Sequence, residues 1–225
     1  MLFWVELMLP PPPQQSHQLL SQQKRPFIVG VTGGIGSGKT AVTDFFANKG
    51  IHIVDADTTS RRVVEQGTQA LVKIEQRYGP EILVDGSNLD RKKLRTIIFD
   101  DADERKWLEE LLHPLIQDQI TYELINAESS YAILVSPLML ETNQHKMVDR
   151  VLVVDVPEAI QIERTITRDQ ITEEQVWKIL NSQIHRGQRL TKADDIVDNS
   201  GSMVQLHQLL DNLHQLYLSL SWDSH

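Results

Sequence analysis

The sequence contains no cysteine, and this absence excludes several kinds of site. Disulfide frameworks, thiolate nucleophiles and zinc or iron–sulfur sites with cysteine ligands all require that side chain. A chain that needs no disulfides is consistent with a cytoplasmic location, which we take as the prediction.

Long apolar runs are also missing. The apolar start, residues 1–9, is interrupted by Glu6 and is followed by a proline run and a glutamine-rich stretch. A membrane span needs ~20 apolar residues, and a secretory signal needs a basic start. We therefore predict a disordered leader over residues 1–25 and no membrane partner. A start codon assigned too early explains the same segment equally well.

Positive charge is in the minority. The 22 Lys and Arg residues face 31 Asp and Glu residues, which gives a formal net charge of −9. Such a chain repels polyanions, so nucleic acid is not expected as a partner. A phosphate site in this protein must then be a local concentration of basic groups. With 225 residues and 40% apolar content, we expect one α/β domain with insertions, or at most two small domains.

Short apolar runs alternate with helical periodicity. Residues 27–31 form an apolar run before a glycine-rich turn, and residues 39–48 then follow a helical pattern closed by Gly50. Further apolar runs predict strands at residues 51–54, 131–135, 150–154 and 196–197. Strands that alternate with helices predict a mainly parallel sheet with right-handed crossovers.

Two long stretches have helical periodicity and lie outside this alternation. Residues 58–130 predict a helical insertion over one end of the sheet, with a helix that kinks or ends at His113 because Pro114 follows. Residues 157–189 predict a second helical excursion rich in cations. Within it, Lys178 and Arg189 suit a solvated helix face. Residues 202–220 suit a final amphipathic helix packed on the sheet.

One motif carries the chemistry. Residues 33–40, GGIGSGKT, match G-x-x-x-x-G-K-[ST] and lie directly between a predicted strand and a predicted helix. The loop N–H groups and the helix N-terminus can surround phosphate. Lys39 is predicted to reach the β- and γ-phosphates of ATP, and the Thr40 hydroxyl to bind Mg²⁺. The nucleotide-binding residues predicted here are Gly34, Ile35, Gly36, Ser37, Gly38, Lys39, Thr40 and Ala41.

The rest of the chain favours a small-molecule kinase among the P-loop classes. The Asn-Lys-x-Asp string that reads guanine in GTPases is missing, and the third strand ends in Val135-Ser136-Pro137 rather than in an acidic pair typical of ATPase motors. Kinases need a carboxylate near the acceptor hydroxyl, and Asp55 and Asp57 follow the second strand. We expect one of them to face the site and the other to structure the turn or cap the next helix.

Two cations in the second excursion point to a phosphate clamp. Arg164 and Arg168 are four residues apart on a predicted helix, so they share a face and could hold phosphates as a lid closes. His113 has no second histidine at ligand spacing, so a metal role is not expected for it.

Taken in order along residues 26–218, these motifs resemble the dephospho-CoA kinase family. The matching positions are residues 32–40, residues 54–57 with Arg61, His113-Pro114, Pro137-Leu138 with Glu141, Gln161 with Arg164, Arg168, Gln183, Ala193-Asp194, and Asn199 with Gly201. Departures are Met139-Leu140 in place of Leu-Phe, arginines at 186 and 189 where a lysine is common, and the leader itself.

The resemblance implies a P-loop NTPase fold: a three-layer α/β/α core with a five-stranded parallel sheet. That core would comprise residues 26–57, 131–157 and 190–218, with a CoA-binding insertion at 58–130 and a helical lid at 158–189. It implies Asp57, Lys39 and Arg168 as the catalytic residues, and Asn199 and Gly201 beside the adenine of ATP. The implied acceptor-binding residues are Asp55, Arg61, His113 and Pro137.

The activity implied is transfer of a phosphoryl group from ATP, with Mg²⁺, to the ribose 3′-hydroxyl of dephospho-CoA, by a monomer or weak homo-oligomer. Another P-loop small-molecule or nucleoside monophosphate kinase, and a non-catalytic nucleotide-binding module, stay open as alternatives.

Overall fold

The computed structural model describes residues 25–223, so the predicted leader lies outside the described residues apart from Arg25. The elements follow in chain order: β1 (Phe27–Thr32), α1 (Lys39–Asn48), β2 (His52–Asp55), α2 (Ala56–Arg62), α3 (Gln69–Tyr78), β3 (Leu83–Val84), β4 (Asn88–Leu89), α4 (Arg91–Asp100), α5 (Ala102–Ile125), β5 (Tyr131–Val135), β6 (Arg150–Asp155), α6 (Glu158–Asp169), α7 (Glu173–Ser182), α8 (Arg186–Thr191), β7 (Asp195–Asp198) and α9 (Met203–Asp223).

Five strands form one parallel sheet in the order β2-β5-β1-β6-β7. The pairing Val31 with Val135 and Thr32 with Val153 brings the carboxyl ends of neighbouring strands to one edge. The predicted parallel sheet is confirmed. Its carboxyl edge is where parallel α/β folds place their ligands.

The sheet is buried on both faces. Successive side chains of each strand point to opposite sides, so one strand contributes to the packing on both faces. Ile28 of β1 packs in one cluster with Leu94, Leu108 and Leu112 from the helices of residues 58–130. Val29 packs on the other side in a cluster built with α1 and α9. Helices, sheet and helices therefore form three layers.

Residues 58–130 are mainly helical, as predicted, but they also contain an element that periodicity did not predict. β3 and β4 pair as a two-residue antiparallel hairpin. Of the kink or end predicted at His113, the helix end is wrong, since α5 continues across Pro114. Proline removes one backbone donor, while Leu112 and Ile116 on the flanking turns pack into the core and hold the helix together.

Residues 158–191 contain α6, α7 and α8, in agreement with the predicted helical excursion. α7 begins with a capping box in which Thr172 and Gln175 exchange hydrogen bonds between side chain and backbone. The exact division of the chain into core, insertion and lid stays a prediction. Within residues 25–223, no helix combines the length and apolar character needed to cross a bilayer.

Candidate active site

The P-loop connects β1 to α1 at the carboxyl edge of the sheet. Gly36 and Gly38 have φ angles of +71° and +89°, in the left-handed region that favours glycine. A Cβ added at Gly36 would lie 2.6 Å from the Gln161 carbonyl oxygen of α6. Gly36 therefore serves both the turn and the close approach of α6, whereas Gly38 serves the turn and leaves room for the Asn199 amide.

The side chain of Lys39 folds back onto the start of this loop. Its ammonium group donates to the Gly33 carbonyl at 2.8 Å and to the Gly34 carbonyl at 3.2 Å. Burial, and next the charge of Arg189, lower the pKa of Lys39 to about 8, while Asp57 opposes the shift. Since that value is above 7, Lys39 is mostly protonated at neutral pH and supplies positive charge to the site.

A cavity of about 630 Å³ opens beside the P-loop. It is lined by parts of the loop, the end of β5, α2, α4 and the helices α6 and α7. The residues that line it include Ile35, Lys39, Thr40, Asp55, Asp57, Arg95, Pro137, Arg168 and Gln183. The cavity therefore joins the P-loop to elements of both helical excursions.

The two carboxylates after β2 have different tasks. Asp55 accepts a hydrogen bond from the Thr58 N–H at 2.9 Å and so caps α2. Asp57 lies in the first turn of α2, and its buried Oδ1 has no partner within residues 25–223. Burial, and next the Asp55 charge, raise the pKa of Asp57, whereas Arg61 and Lys39 lower it. Asp55 therefore caps the helix, as expected for one of the two carboxylates, while both Asp55 and Asp57 line the cavity; the catalytic role of Asp57 stays a prediction.

The lid cations also differ in their contacts. Arg164 donates to the Asn199 carbonyl at 3.0 Å, and the Asn199 amide donates to the Ser37 carbonyl at 2.8 Å. Arg164 and Asn199 thus support the P-loop from outside. Arg168 is exposed at the cavity and pairs with Asp169 at 2.7 Å. Of the two arginines, Arg168 is the one that lines the cavity.

Other predicted site residues lie farther from this cavity. Within the described chain, its lining does not include Arg61, His113, Asn199 or Gly201. Arg61 is exposed at the end of α2 and still lowers the pKa of Asp57 through its charge. His113 is partly buried on α5, and Gly201 is exposed before α9. Their predicted roles in binding stay predictions.

The prediction that Arg189 lies on a solvated helix face is wrong. Its side chain is 5% exposed, it donates to the Ile184 carbonyl at 2.8 Å, and burial lowers its pKa. α8 has six residues, too few for helical periodicity to show that Arg189 is its buried residue. Lys178 is exposed and pairs with Glu174 at 3.0 Å, as a solvated face predicts.

Two cavity-lining residues, and a third residue outside the lining, escaped the residue-by-residue argument. Arg95 of α4 lines the cavity from the insertion, Gln183 accepts from the Ile35 N–H, and Glu141 accepts from the Ile184 N–H. Gln183 and Glu141 belong to the family pattern, but their residue types and spacing did not indicate which backbone groups they would bind. For Arg95, the sequence offered no indication of a position at the cavity other than its positive charge.

The protein side chains offer few ligands for a metal. Over residues 25–223, no three histidine, aspartate or glutamate side chains come together as a metal site. Thr40 is exposed at the cavity, next to Lys39. A divalent cation here would therefore take most of its ligands from a phosphate substrate and water, as Mg²⁺ commonly does.

Comparisons with known proteins agree with this geometry. Residues 27–205 match the family model for dephospho-CoA kinase. The dephospho-CoA kinase of Idiomarina loihiensis is 49% identical over 193 residues, covering 86% of this chain and 96% of that protein. The enzyme of Shewanella oneidensis is 47% identical over 195 residues, covering 87% of this chain and 95% of that protein.

Solved structures give the same fold. The crystal structure of TT1252 from Thermus thermophilus has a TM-score of 0.73 at 27% identity, covering 85% of this chain and 97% of that one. Dephospho-CoA kinase from Campylobacter jejuni has a TM-score of 0.59 at 24% identity, and the match covers 84% of this chain and 96% of that one. From the matched family model and these relatives, the chain belongs to the dephospho-CoA kinase family.

Proposed function

We propose that this protein transfers the γ-phosphoryl group of ATP to the ribose 3′-hydroxyl of dephospho-CoA, which yields ADP and coenzyme A. The observation that carries the proposal is one cavity lined by the P-loop lysine, by Asp57, whose buried Oδ1 has no partner among residues 25–223, and by Arg168. Family membership identifies the acceptor.

The geometry suits an in-line displacement. The acceptor oxygen forms a bond to the γ-phosphorus while the bond to the β–γ bridging oxygen breaks, and ADP leaves with those electrons. Asp57 orients the hydroxyl and takes its proton, because it lines the cavity and its Oδ1 has no partner among residues 25–223. The raised pKa of Asp57 makes it a stronger base than an exposed aspartate.

The cations act on the phosphate side of the reaction. Lys39 leaves the Gly33 and Gly34 carbonyls for the β- and γ-phosphates, and Arg168 leaves Asp169 for the transferred group when the lid closes. The Thr40 hydroxyl and the phosphates of ATP fit Mg²⁺, which when bound neutralises phosphate charge.

An acceptor panel tests the proposal. The full chain is incubated with ATP and Mg²⁺ and either dephospho-CoA, AMP, adenosine or shikimate, with Lys39→Ala as the inactive control. Product mass and the phosphorus spectrum should place a new phosphate on the ribose 3′-oxygen of dephospho-CoA, far faster than on any other acceptor. Equal rates with AMP, or transfer to a 5′-phosphate, would instead identify a nucleoside monophosphate kinase.

Two further expectations accompany the proposal without a test in the structure. A cytoplasmic location follows from the composition of the chain, and a monomer or weak homo-oligomer from the family resemblance.

A further inference from the structure

The lid is hydrogen-bonded to the P-loop through one side chain. Gln183 is the residue that follows α7, and its Oε1 accepts from the Ile35 N–H at 3.0 Å. The side chain is 8% exposed, and both residues line the cavity. The contact joins positions 148 residues apart in the sequence, so tertiary packing creates it.

The hydrogen bond from Ile35 to Gln183 gives the Ile35 N–H an acceptor that the loop itself does not provide. The loop closes its turn through the Ser37 N–H, which donates to the Gly34 carbonyl at 3.2 Å. The Ile35 N–H has no such partner within the loop, and Gln183 supplies one from the lid. The orientation of the Ile35 peptide group therefore depends on where α7 ends.

The lid segment that carries Gln183 is itself fixed on two sides. The next residue, Ile184, donates its N–H to Glu141 Oε1 at 2.9 Å, and its carbonyl accepts from Arg189 at 2.8 Å. Glu141 follows β5, and Arg189 belongs to α8 and is buried. Gln183 therefore holds the loop from a segment that is anchored to the core.

We propose that Gln183 is a positioning residue of the ATP site, which acts through the Ile35 N–H to hold the P-loop in its phosphate-receiving shape before ATP binds. A loop that is already ordered loses less conformational freedom on binding, so the contact should favour ATP affinity. It also couples the position of the lid to the backbone of the loop. The turnover part of this proposal rests on the proposed function; the effects on amide exchange and ATP binding do not.

Three variants of the full chain separate the contact from general lid stability. Gln183→Met keeps the length of the side chain but removes the acceptor. Gln183→His, assayed at pH 8, keeps a neutral acceptor nitrogen at similar reach. Gln175→Met removes the capping box at the other end of α7 and has no bond to the P-loop.

The expected results follow from one lost hydrogen bond. In Gln183→Met, hydrogen exchange at the Ile35 amide should accelerate, the Kd for ATP and the KM for ATP should rise by about threefold to tenfold, and the KM for dephospho-CoA should stay unchanged. Gln183→His should return exchange and ATP affinity towards the wild-type values. Gln175→Met should lower the unfolding temperature without a change in ATP affinity.

Distinct outcomes overturn the proposal. Wild-type exchange at Ile35 and wild-type ATP affinity in Gln183→Met would do so, as would an equal loss of ATP affinity in Gln175→Met. If Gln183→Met does not fold, a folded Gln183→His with lost protection at Ile35 is the contradicting result, and retained protection and affinity support the contact. If the wild-type chain fails to phosphorylate dephospho-CoA, the proposed function fails, while exchange and ATP binding still decide the role of Gln183.

Discussion

At the scale of single residues, the two aspartates at the carboxyl end of β2 make different contacts. Asp55 and Asp57 are two residues apart and both follow a strand, so their spacing allowed either to cap the next helix. The strand ends at Asp55, which caps α2, and Asp57 enters the first helical turn with an unpartnered oxygen. The difference depends on where β2 stops, which periodicity does not define to one residue.

Asp57→Asn tests the residue that faces the cavity. We expect kcat to fall by ~10²–10⁴, the range for a positioned general base, with a much smaller effect on ATP binding. Phosphoryl transfer is often loose, and if orientation matters more than proton removal the loss will lie at the low end. Steady-state kinetics and ATP titration provide the measurement. Asp90→Asn, at another helix cap outside the cavity, should leave kcat unchanged.

The same variant makes a prediction about stability. Because the folded-state pKa of Asp57 is raised, its favourable contribution to stability is present below the ordinary aspartate value near 3.9 and is lost as pH rises through the raised value. Above the raised pKa, the ionised carboxylate of Asp57 therefore costs stability. Asp57→Asn, which cannot ionise, should unfold at the same temperature as the wild type or at a higher one. A full kcat, or a large drop in unfolding temperature, would assign Asp57 a structural role instead.

At the scale of elements, strands and helices with strong periodicity were predictable. The five strands of the sheet, α1 and the final helix lie where apolar runs or helical spacing placed them. The hairpin of β3 and β4 was missed because each strand has two residues, too few to show alternation. α5 crosses Pro114 because the packing of its flanking turns outweighs one lost backbone bond.

The packing of α9 on α1 and β5 predicts a pH dependence of stability. His214 of α9 is buried against Phe46, and its Nδ1 forms a hydrogen bond with the Tyr131 hydroxyl at 2.8 Å. Burial, and next the charge of Lys49, lower the pKa of His214, while Asp211 opposes the shift. The contribution of neutral His214 is thus present above the ordinary histidine value near 6.5 and is lost as pH falls towards the lowered folded-state value.

Urea unfolding between pH 5 and 8 measures this effect. The wild-type free energy of unfolding should fall below pH 6.5 with a slope that includes up to about one proton from His214. His214→Gln should remove that part of the slope, because glutamine can still bond to Tyr131 but does not titrate. His207→Gln, at an exposed position of the same helix, is the control and should keep the wild-type slope. An unchanged slope in His214→Gln would contradict the prediction.

At the scale of the whole molecule, deletion of residues 1–24 is predicted to leave activity and unfolding temperature unchanged. The proline- and glutamine-rich composition offers the core no periodic apolar face. Arg25 is retained, because it pairs with Asp149 at 2.6 Å and Asp149 also accepts from the Ile28 N–H. Kinetics and thermal unfolding of the shortened and full chains provide the comparison. A large loss of stability would show that residues 1–24 pack on the protein.

The sequence by itself determined the nucleotide loop, the parallel α/β class and the family, because each of these depends on residue types at fixed spacing along the chain. It also placed Lys39 and Thr40 in the loop that lines the cavity. Tertiary structure alone decided which contacts cross the molecule: Asn199 to Ser37, Gln183 to Ile35, and the burial of Arg189. These contacts join residues far apart in sequence through the packing of the lid and the sheet, and no local pattern in the chain records that packing.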